Sequence, residues 1–210
     1  MTGFIPHTFR QLLQGYPEPI QISGPDDDPP ITGVTYDSRQ VEPGFVFVAL
    51  EGLNTDGHRY IARALEAGAA AVAGRKEMTN LPVPYARVDD TRCLLAHLSA
   101  AFYDYPARKM RVVGVTGTDG KTTTTNLIYE ILLKAGLLTG MISTVNATIG
   151  DEVIDTGFHV TTPEAPEVQR YLSRMQTAGL THVVLETTSH GLEQHRVANC
   201  EFDVGVITNI

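Results

Sequence analysis

The sequence predicts an α/β protein built from two compact parts: an α/β domain over residues 1–105, and a second over residues 106–210 whose sheet is mainly parallel. Three observations carry that expectation. Short segments rich in β-branched and aromatic residues alternate with segments of helical apolar spacing, the order in which parallel strands are covered on both faces by crossover helices. The run RVVGVTGTDGKTTTTNL, Arg111 to Leu127, sets a β-branched stretch directly before a glycine turn and a segment able to be helical. Hydrophobic residues make up 42% of the 210, enough for one large or two small buried cores, which argues against disorder throughout.

The elements follow in chain order. PEPIQISGPDDDPP, residues 17–30, is rich in proline and acid and predicts an exposed loop with no regular element. ITGVTYD at 31–37 and GFVFVAL at 44–50 read as strands from their β-branched and aromatic content. HRYIARALEA at 58–67 has helical spacing and stops at Gly68, a C′ glycine. Two short strands, 69–73 and 83–88, and a helix over 91–102 complete the first part, and DYPARK at 104–109 is a candidate linker. Beyond it the order is strand 111–116, glycine turn, helix 121–135, strand 139–144, a polar stretch, helix 164–178, and strands 181–186 and 203–208. In sheets of this kind ligands sit at the carboxyl ends of the strands, which directs attention to the loops after 116, 144, 186 and 208.

Composition limits the partners. A net charge of −8 gives no general electrostatic footprint for nucleic acid or anionic membrane, so anionic ligands must be held by local devices. No apolar run approaches the roughly 20 residues that a membrane helix needs, and MTGFIPHTFRQLL lacks the basic start and apolar core of a secretory signal. The expectation is a cytoplasmic protein with small-molecule ligands, without nucleic acid or membrane partners. Cys93 and Cys200 show no metal or disulfide spacing and read as buried small apolar residues.

The glycine turn is the strongest chemical signal. A buried strand delivers the chain to Gly117-Thr118-Asp119-Gly120-Lys121-Thr122-Thr123, where Gly117 and Gly120 can take φ > 0 and turn successive N–H groups toward an anion. Lys121 adds a full positive charge, the following helix adds the positive end of its dipole, and the Thr122 hydroxyl can ligate a Mg²⁺ that bridges terminal phosphates. The pattern implies use of a nucleoside triphosphate such as ATP. It departs from the standard loop, because Val115 stands where a further glycine belongs, so the loop is shorter. The plain alternative is a strand-to-helix turn that happens to carry a lysine.

Other positions carry two readings each. Glu186 ends the apolar strand THVVLE, where a carboxylate can reach a nucleotide-bound Mg²⁺ or can serve only to pair within its loop. Thr161, Thr162 and Pro163 precede a helix, so one threonine can cap it, or the uncovered amides can meet an anionic substrate. Gln194 and Arg196 can fix a carboxylate or phosphate, or lie solvated; His190 and His195 have no triad or zinc partner at suitable spacing. In the first part, Asp37-Ser38-Arg39 and Leu53-Asn54-Thr55-Asp56-Gly57-His58 are each explained as turn chemistry when taken singly.

Together these pieces resemble the ATP-dependent Mur ligases of peptidoglycan synthesis across nearly the whole chain. The segment YDSRQVEPGFVFVALEGLNTDGHRYIARALEAGAAAV looks like that family's uridine-nucleotide-binding domain, and GVTGTDGKTTTT is similar to its ATP loop. ETTSHGLEQHRV is similar to the E-x-S-S-H-G-L-x-Q-x-R-type signature of the MurE branch and unlike the corresponding stretch of the MurF branch. The resemblance implies that Ser38, Asn54 and Thr55 contact a UDP-sugar substrate, that residues 117–123 hold ATP, and that Lys121 and Glu186 are catalytic. It further implies that Thr161, Thr162, Thr188, Gln194 and Arg196 contact the muramoyl-dipeptide side, and that Thr122 and Glu186 bind Mg²⁺. Asp119 stands where asparagine is frequent, Thr188 replaces a serine but keeps the hydroxyl, and Val160, where asparagine is common, takes no role.

The implied reaction is amide-bond formation between a diamino acid, meso-diaminopimelate or L-lysine, and UDP-MurNAc-L-Ala-D-Glu through an acyl phosphate, in a monomer. Mur ligases continue past TNI into an Asp-His-Leu-Asp-type segment, a modified lysine and an amino-acid-binding third domain. The expectation is therefore a fragment holding the first domain and about half of the ATPase domain, inactive by itself. Two rivals stand beside it: a noncatalytic nucleotide or UDP-sugar-binding module derived from such a ligase, and a P-loop kinase acting on a small hydroxyl compound.

Overall fold

A computed structural model describes residues 7–52, 55–155 and 162–209, which divide into two compact units, 1–102 and 103–210. The first begins with helix α1 (Phe9–Leu13), whose N-terminus is closed by a reciprocal box in which the Thr8 hydroxyl takes the Gln11 N–H and the Gln11 side chain takes the Thr8 N–H. Strands β1 (Gln21–Ser23), β2 (Gly33–Thr35) and β3 (Phe45–Val48) follow, then a 3₁₀ turn over Gly57–Tyr60 that runs into helix α2 (Ile61–Glu66). Strands β4 (Ala71–Gly74) and β5 (Tyr85–Arg87) and helix α3 (Thr91–Phe102) end the unit.

The five strands lie in the order β1-β5-β4-β3-β2. From β2 to β5 each neighbouring pair is parallel, and β1 runs antiparallel to β5. All four residues of β4 and three of the four of β3 are buried, as an inner strand covered on both faces requires; this is why VFV and AVA read as continuous apolar runs. Helix α3 packs Leu94, Leu95 and Leu98 fully inside. The expected structureless loop at 17–30 is corrected by β1. Its three side chains are all exposed and the strand is held by main-chain pairing to β5, so side-chain character gave no sign of it.

In the second unit, β6 (Arg111–Thr116), helix α4 (Lys121–Lys134) and β7 (Thr139–Ile142) are followed by β8 (Asn146–Ile149), β9 (Glu152–Asp155), helix α5 (Ala165–Thr177), β10 (His182–Glu186), helix α6 (Ser189–Glu193) and β11 (Val204–Ile207). The sheet order is β11-β6-β10-β7-β8-β9. Strands β11, β6, β10 and β7 are mutually parallel, while β8 and β9 form an antiparallel hairpin extension. That hairpin corrects the polar stretch expected after residue 144: it is a pair of short strands at the sheet margin whose outer member is mostly exposed. The candidate linker at 104–109 is corrected too. It holds a 3₁₀ turn, Pro106–Lys109, whose Ala107 joins Met110, Val183, Leu172 and Met175 in the core.

Cys200 is buried, and burial pushes its thiol up to about 12; Cys93, expected inside, is only partly covered. Among the described residues no helix is long and apolar enough to cross a membrane.

Candidate functional site

Three parallel strands bring the second unit's chemistry together at their carboxyl ends. β10 lies between β6 and β7, with Glu186 in register with Val115, so the glycine turn after β6, the Glu186 carboxylate and the Ser143-Thr144 turn after β7 emerge side by side. Gly117 has φ +139° and Gly120 φ +78°, conformations that L side chains rarely adopt. A Cβ on Gly117 would lie 2.2 Å from the Thr208 hydroxyl oxygen, so its lack of a side chain is needed twice over.

Gly120 is the N-cap of α4 and has no side-chain cap, and the first intrahelical bond runs from the Thr124 N–H to the Gly120 carbonyl. The amides of Lys121, Thr122 and Thr123 precede any helical acceptor and form the electropositive end of a fourteen-residue helix. The Lys121 ammonium folds back over the turn and donates to the carbonyls of Gly117 and Thr118, both at 2.8 Å. Asp119 is exposed, and solvent screening there blunts its repulsion of an anion in the turn.

Glu186 is 1% exposed. Its carboxylate accepts from the Thr122 hydroxyl, 3.1 Å to each oxygen, and from the Thr144 hydroxyl at 2.8 Å and N–H at 3.2 Å. Every one of these donors is uncharged. A buried carboxylate next to a hydroxyl, facing a cationic turn, is a donor set suited to a hard divalent cation such as Mg²⁺.

A second cluster lies just beyond. The Thr188 hydroxyl caps α6 by accepting the Gly191 N–H at 2.9 Å, and the Thr188 N–H donates to the Thr162 hydroxyl at 3.1 Å. Thr162 therefore does not cap α5, whose N-cap is Glu164; this corrects the capping reading for the one of the two threonines that lies among the described residues. Arg196 donates to the Thr162 carbonyl at 2.8 Å, to the Gln194 side-chain oxygen at 2.8 and 3.1 Å, and pairs with Glu164 at 2.9 Å. With side chains 13% and 17% exposed, this pair is sheltered, so Arg196 is fixed in place and not solvated. Thr161 lies outside the described residues.

In the first unit the carboxyl ends of β2, β3 and β4 carry Ser38, the 51–56 loop and Arg75-Lys76. Ser38 is buried, and the neighbouring Asp37 is held by the Arg39 side chain at 2.7 to 3.1 Å, which keeps that carboxyl below its ordinary range. The loop closes on itself through a Glu51–Asp56 bridge and a 2.9 Å bond from the Gly52 N–H to the Thr55 carbonyl. Thr55 is exposed there, and Asn54 lies outside the described residues.

Asp56 is the loop's anchor. It accepts from the Lys76 ammonium at 2.5 Å and from the His58 N–H and Nδ1 at 3.0 and 2.7 Å, contacts that hold its carboxyl well below the usual range, with Lys76 the larger cause. His58 Nε2 in turn accepts the N–H groups of Arg75 and Lys76 at 3.1 and 3.2 Å, which assigns the proton to Nδ1. Glu51, Asp56 and His58 converge as metal ligands do, but Lys76 already sits on Asp56 and both imidazole nitrogens are engaged. Gly74 makes this possible, since a Cβ there would stand 2.6 Å from His58 Nε2 and from the Tyr85 hydroxyl.

The structure thus gathers Gly117, Thr118, Gly120, Lys121, Thr122, Thr123 and Glu186 in one place and Thr162, Thr188, Gln194 and Arg196 in another. Sequence reasoning gave no site role to Thr144, Glu164 or Lys76, and read Asp56 and His58 only as turn chemistry. Thr144 was signalled by its place in the turn that follows β7, and Asp56 and His58 by theirs in the segment that leads into a helix.

Comparison with known proteins gives the same family at both ends of the chain. The Mur ligase middle domain matches residues 115–210, and the Mur ligase family catalytic domain matches residues 30–103. A UDP-N-acetylmuramyl-tripeptide synthetase of Roseiflexus sp. (strain RS-1) is 48% identical over 205 residues, covering 96% of this chain and 40% of the relative. A UDP-N-acetylmuramoyl-L-alanyl-D-glutamate–2,6-diaminopimelate ligase of Caldanaerobacter subterraneus subsp. tengcongensis is 38% identical over 200 residues, covering 95% of this chain and 40% of the relative.

Among solved structures, a UDP-N-acetylmuramoyl-L-alanyl-D-glutamate–2,6-diaminopimelate ligase superposes with a TM-score of 0.79 at 26% identity, over 98% of this chain and 40% of that one. MurF ligase from Thermotoga maritima in complex with ADP superposes with a TM-score of 0.56 at 26% identity, over 85% of this chain and 37% of that one. The chain spans about 40% of the length of the curated relatives it matches. With both units matched and an α/β architecture of mostly parallel strands shared with those structures, the chain belongs to the Mur ligase family.

Proposed function

We propose that these residues form the UDP-sugar-binding unit and the phosphate-loop portion of an ATP-dependent amide ligase of peptidoglycan precursor synthesis, a cytoplasmic monomer of the MurE type. The reaction is addition of a diamino acid to UDP-MurNAc-L-Ala-D-Glu. One observation carries this reading: Lys121, the open first turn of α4 and the buried Glu186 carboxylate beside the Thr122 hydroxyl meet at the ends of three parallel strands. The names of the tripeptide synthetase and diaminopimelate ligase relatives support the branch, and the ADP bound to the related MurF ligase supports the nucleotide.

A carboxylate is a poor electrophile, because its charge repels an amine and its leaving group would be oxide. Transfer of the γ-phosphoryl group from ATP to a carboxylate oxygen of the D-Glu residue gives an acyl phosphate and ADP. The amine of the diamino acid then attacks the acyl carbon, phosphate leaves, and the nitrogen gives up a proton. The chain's part is positioning and charge neutralisation. Lys121 and the amides of residues 120–123 hold the phosphates. Thr161, Thr162, Thr188, Gln194 and Arg196 orient the peptide end of the substrate, and Ser38, Asn54 and Thr55 hold its nucleotide end. Glu186 and Thr122 would hold Mg²⁺, which when bound offsets charge on the terminal phosphates.

Calorimetry on the chain, with Mg-ATP and with UDP-MurNAc-L-Ala-D-Glu, tests both binding units; heat from each is expected. Phosphate release by a longer Mur ligase chain carrying these residues should require both the UDP-dipeptide and a diamino acid. ATP consumption indifferent to the amino acid would favour a kinase, binding without any turnover a noncatalytic module, and absence of heat from Mg-ATP would overturn the reading.

A further inference from the structure

Two of the phosphate turn's own amides are already taken. The N–H groups of Thr118 and Asp119 both donate to the side-chain oxygen of Asn209, at 2.7 and 3.0 Å. Next to it, Thr208 extends the β11–β6 pairing with its N–H on the Thr116 carbonyl at 2.9 Å and sets its hydroxyl on the Asp119 carbonyl at 2.6 Å. The turn is therefore gripped from the β11 side along its first half, Gly117 to Asp119, where Gly117 has no room for a Cβ. Its second half is held by none of these contacts: a Cβ on Gly120 would come no nearer than 4.0 Å to Thr208.

We infer that Asn209 is a positioning residue of the phosphate loop: its carboxamide oxygen acts as a fixed acceptor for Thr118 and Asp119, so that polyphosphate is taken by the amides of Gly120 to Thr123 and by Lys121. The assignment rests on the proposed nucleotide reading for its purpose, though not for its geometry. A neutral acceptor suits the place. A carboxylate there would accept the same two amides but set a second negative charge, beyond that of Asp119, against the phosphates. A loop without any acceptor would leave both amides free to rotate outward and would add their ordering to the cost of binding. The division of labour also accounts for the shortness of the turn, since only its helix-side amides need face the ligand.

The experiment compares the wild-type chain with Asn209→Ala and Asn209→Asp by amide hydrogen exchange and by calorimetry with Mg-ATP and with UDP-MurNAc-L-Ala-D-Glu. In Asn209→Ala the Thr118 and Asp119 amides should lose protection while β6 amides keep theirs, and Mg-ATP should bind about tenfold or more weakly (about 1.4 kcal/mol), with UDP-substrate binding unmoved. Asn209→Asp should restore the protection but not the affinity for Mg-ATP, a split that a merely structural side chain would not produce. Unchanged protection in Asn209→Ala would overturn the clasp. Unchanged or tighter Mg-ATP binding would overturn the positioning role, the latter making Asn209 a plug. If the wild type bound no Mg-ATP, the nucleotide reading would fall, while the exchange comparison would still decide whether Asn209 grips the turn.

Discussion

Replacing Glu186 by glutamine separates what this carboxylate does for the fold from what it does for a ligand. In the structure its two oxygens take four contacts, all from Thr122 and Thr144. A glutamine can aim its oxygen at the Thr144 N–H and its amide at the Thr144 hydroxyl, which can turn to accept. Every group then keeps a partner, a buried carboxylate whose hydrogen-bond donors are all uncharged gives way to a neutral amide, and the change in stability should stay within about 1 kcal/mol. Alanine instead strands the Thr144 N–H and opens a hole, which should cost about 2–4 kcal/mol.

Ligand linkage behaves in the opposite way. At a Mg-ATP concentration one hundredfold above the wild-type dissociation constant, binding stabilises the wild type by about 2.7 kcal/mol. If the lost oxygen ligand weakens binding about one hundredfold, the same concentration stabilises Glu186→Gln by only about 0.4 kcal/mol. Exchange of the β6 and β10 amides with and without Mg-ATP reads both quantities from the second unit's own opening and avoids averaging two units that need not unfold together. A Glu186→Gln variant that keeps the full Mg-ATP stabilisation would refute the metal role, and one that unfolds as readily as Glu186→Ala would refute the hydrogen-bond argument.

Other outcomes follow from the same geometry. Lys121→Ala removes the ammonium now resting on the Gly117 and Thr118 carbonyls; it should abolish ATP turnover in a longer chain and weaken Mg-ATP binding in this one by about one hundredfold or more, with unchanged calorimetric heat counting against the cradle. Asp56, whose carboxyl is depressed chiefly by Lys76 and then by His58, contributes stability that is present above its ordinary value near 3.8 and lost as pH falls below it. The stability gap between wild type and Asp56→Asn, measured by first-unit exchange, should therefore be wide at pH 7 and close progressively below about pH 4; a gap independent of pH would contradict the ion pair. Gly74→Ala must push a methyl into His58 and Tyr85 and should destabilise the first unit by about 1–3 kcal/mol, an effect that near-wild-type denaturation would disprove.

How far the fold could be read from the sequence depended on what side chains had to do. β3, β4 and β10 are almost wholly buried and the middle of β6 largely so, which is why their central residues read as apolar runs and stand out. β1 is held by its backbone alone, and the β8–β9 hairpin consists of two four-residue strands with no long alternation, so neither declared itself. The same distinction runs through the site. The glycine turn and its lysine are local in sequence and were legible. The grip of Asn209 on Asp119 spans 90 residues, and the pairing of Arg196 with Glu164 depends on how the turn after β10 lies against the start of α5, so both needed three dimensions. Thr162 carried two readings for a related reason: local chemistry allowed a helix cap, and in the structure its hydroxyl takes the more distant Thr188 N–H instead.

The place of β10 also sets an order of events during folding. β6 and β7 are joined through α4, yet in the finished sheet they lie two inter-strand spacings apart, about 9.6 Å, with β10 between them. Thr122 and Glu186, 64 residues apart along the chain, meet only once β10 has paired beside β6. Parallel pairings between such remote segments are slow to form, so a refolding chain should regain helical signal well before it regains affinity for a nucleotide. Ligand capture would then serve as a clock for completion of the central sheet.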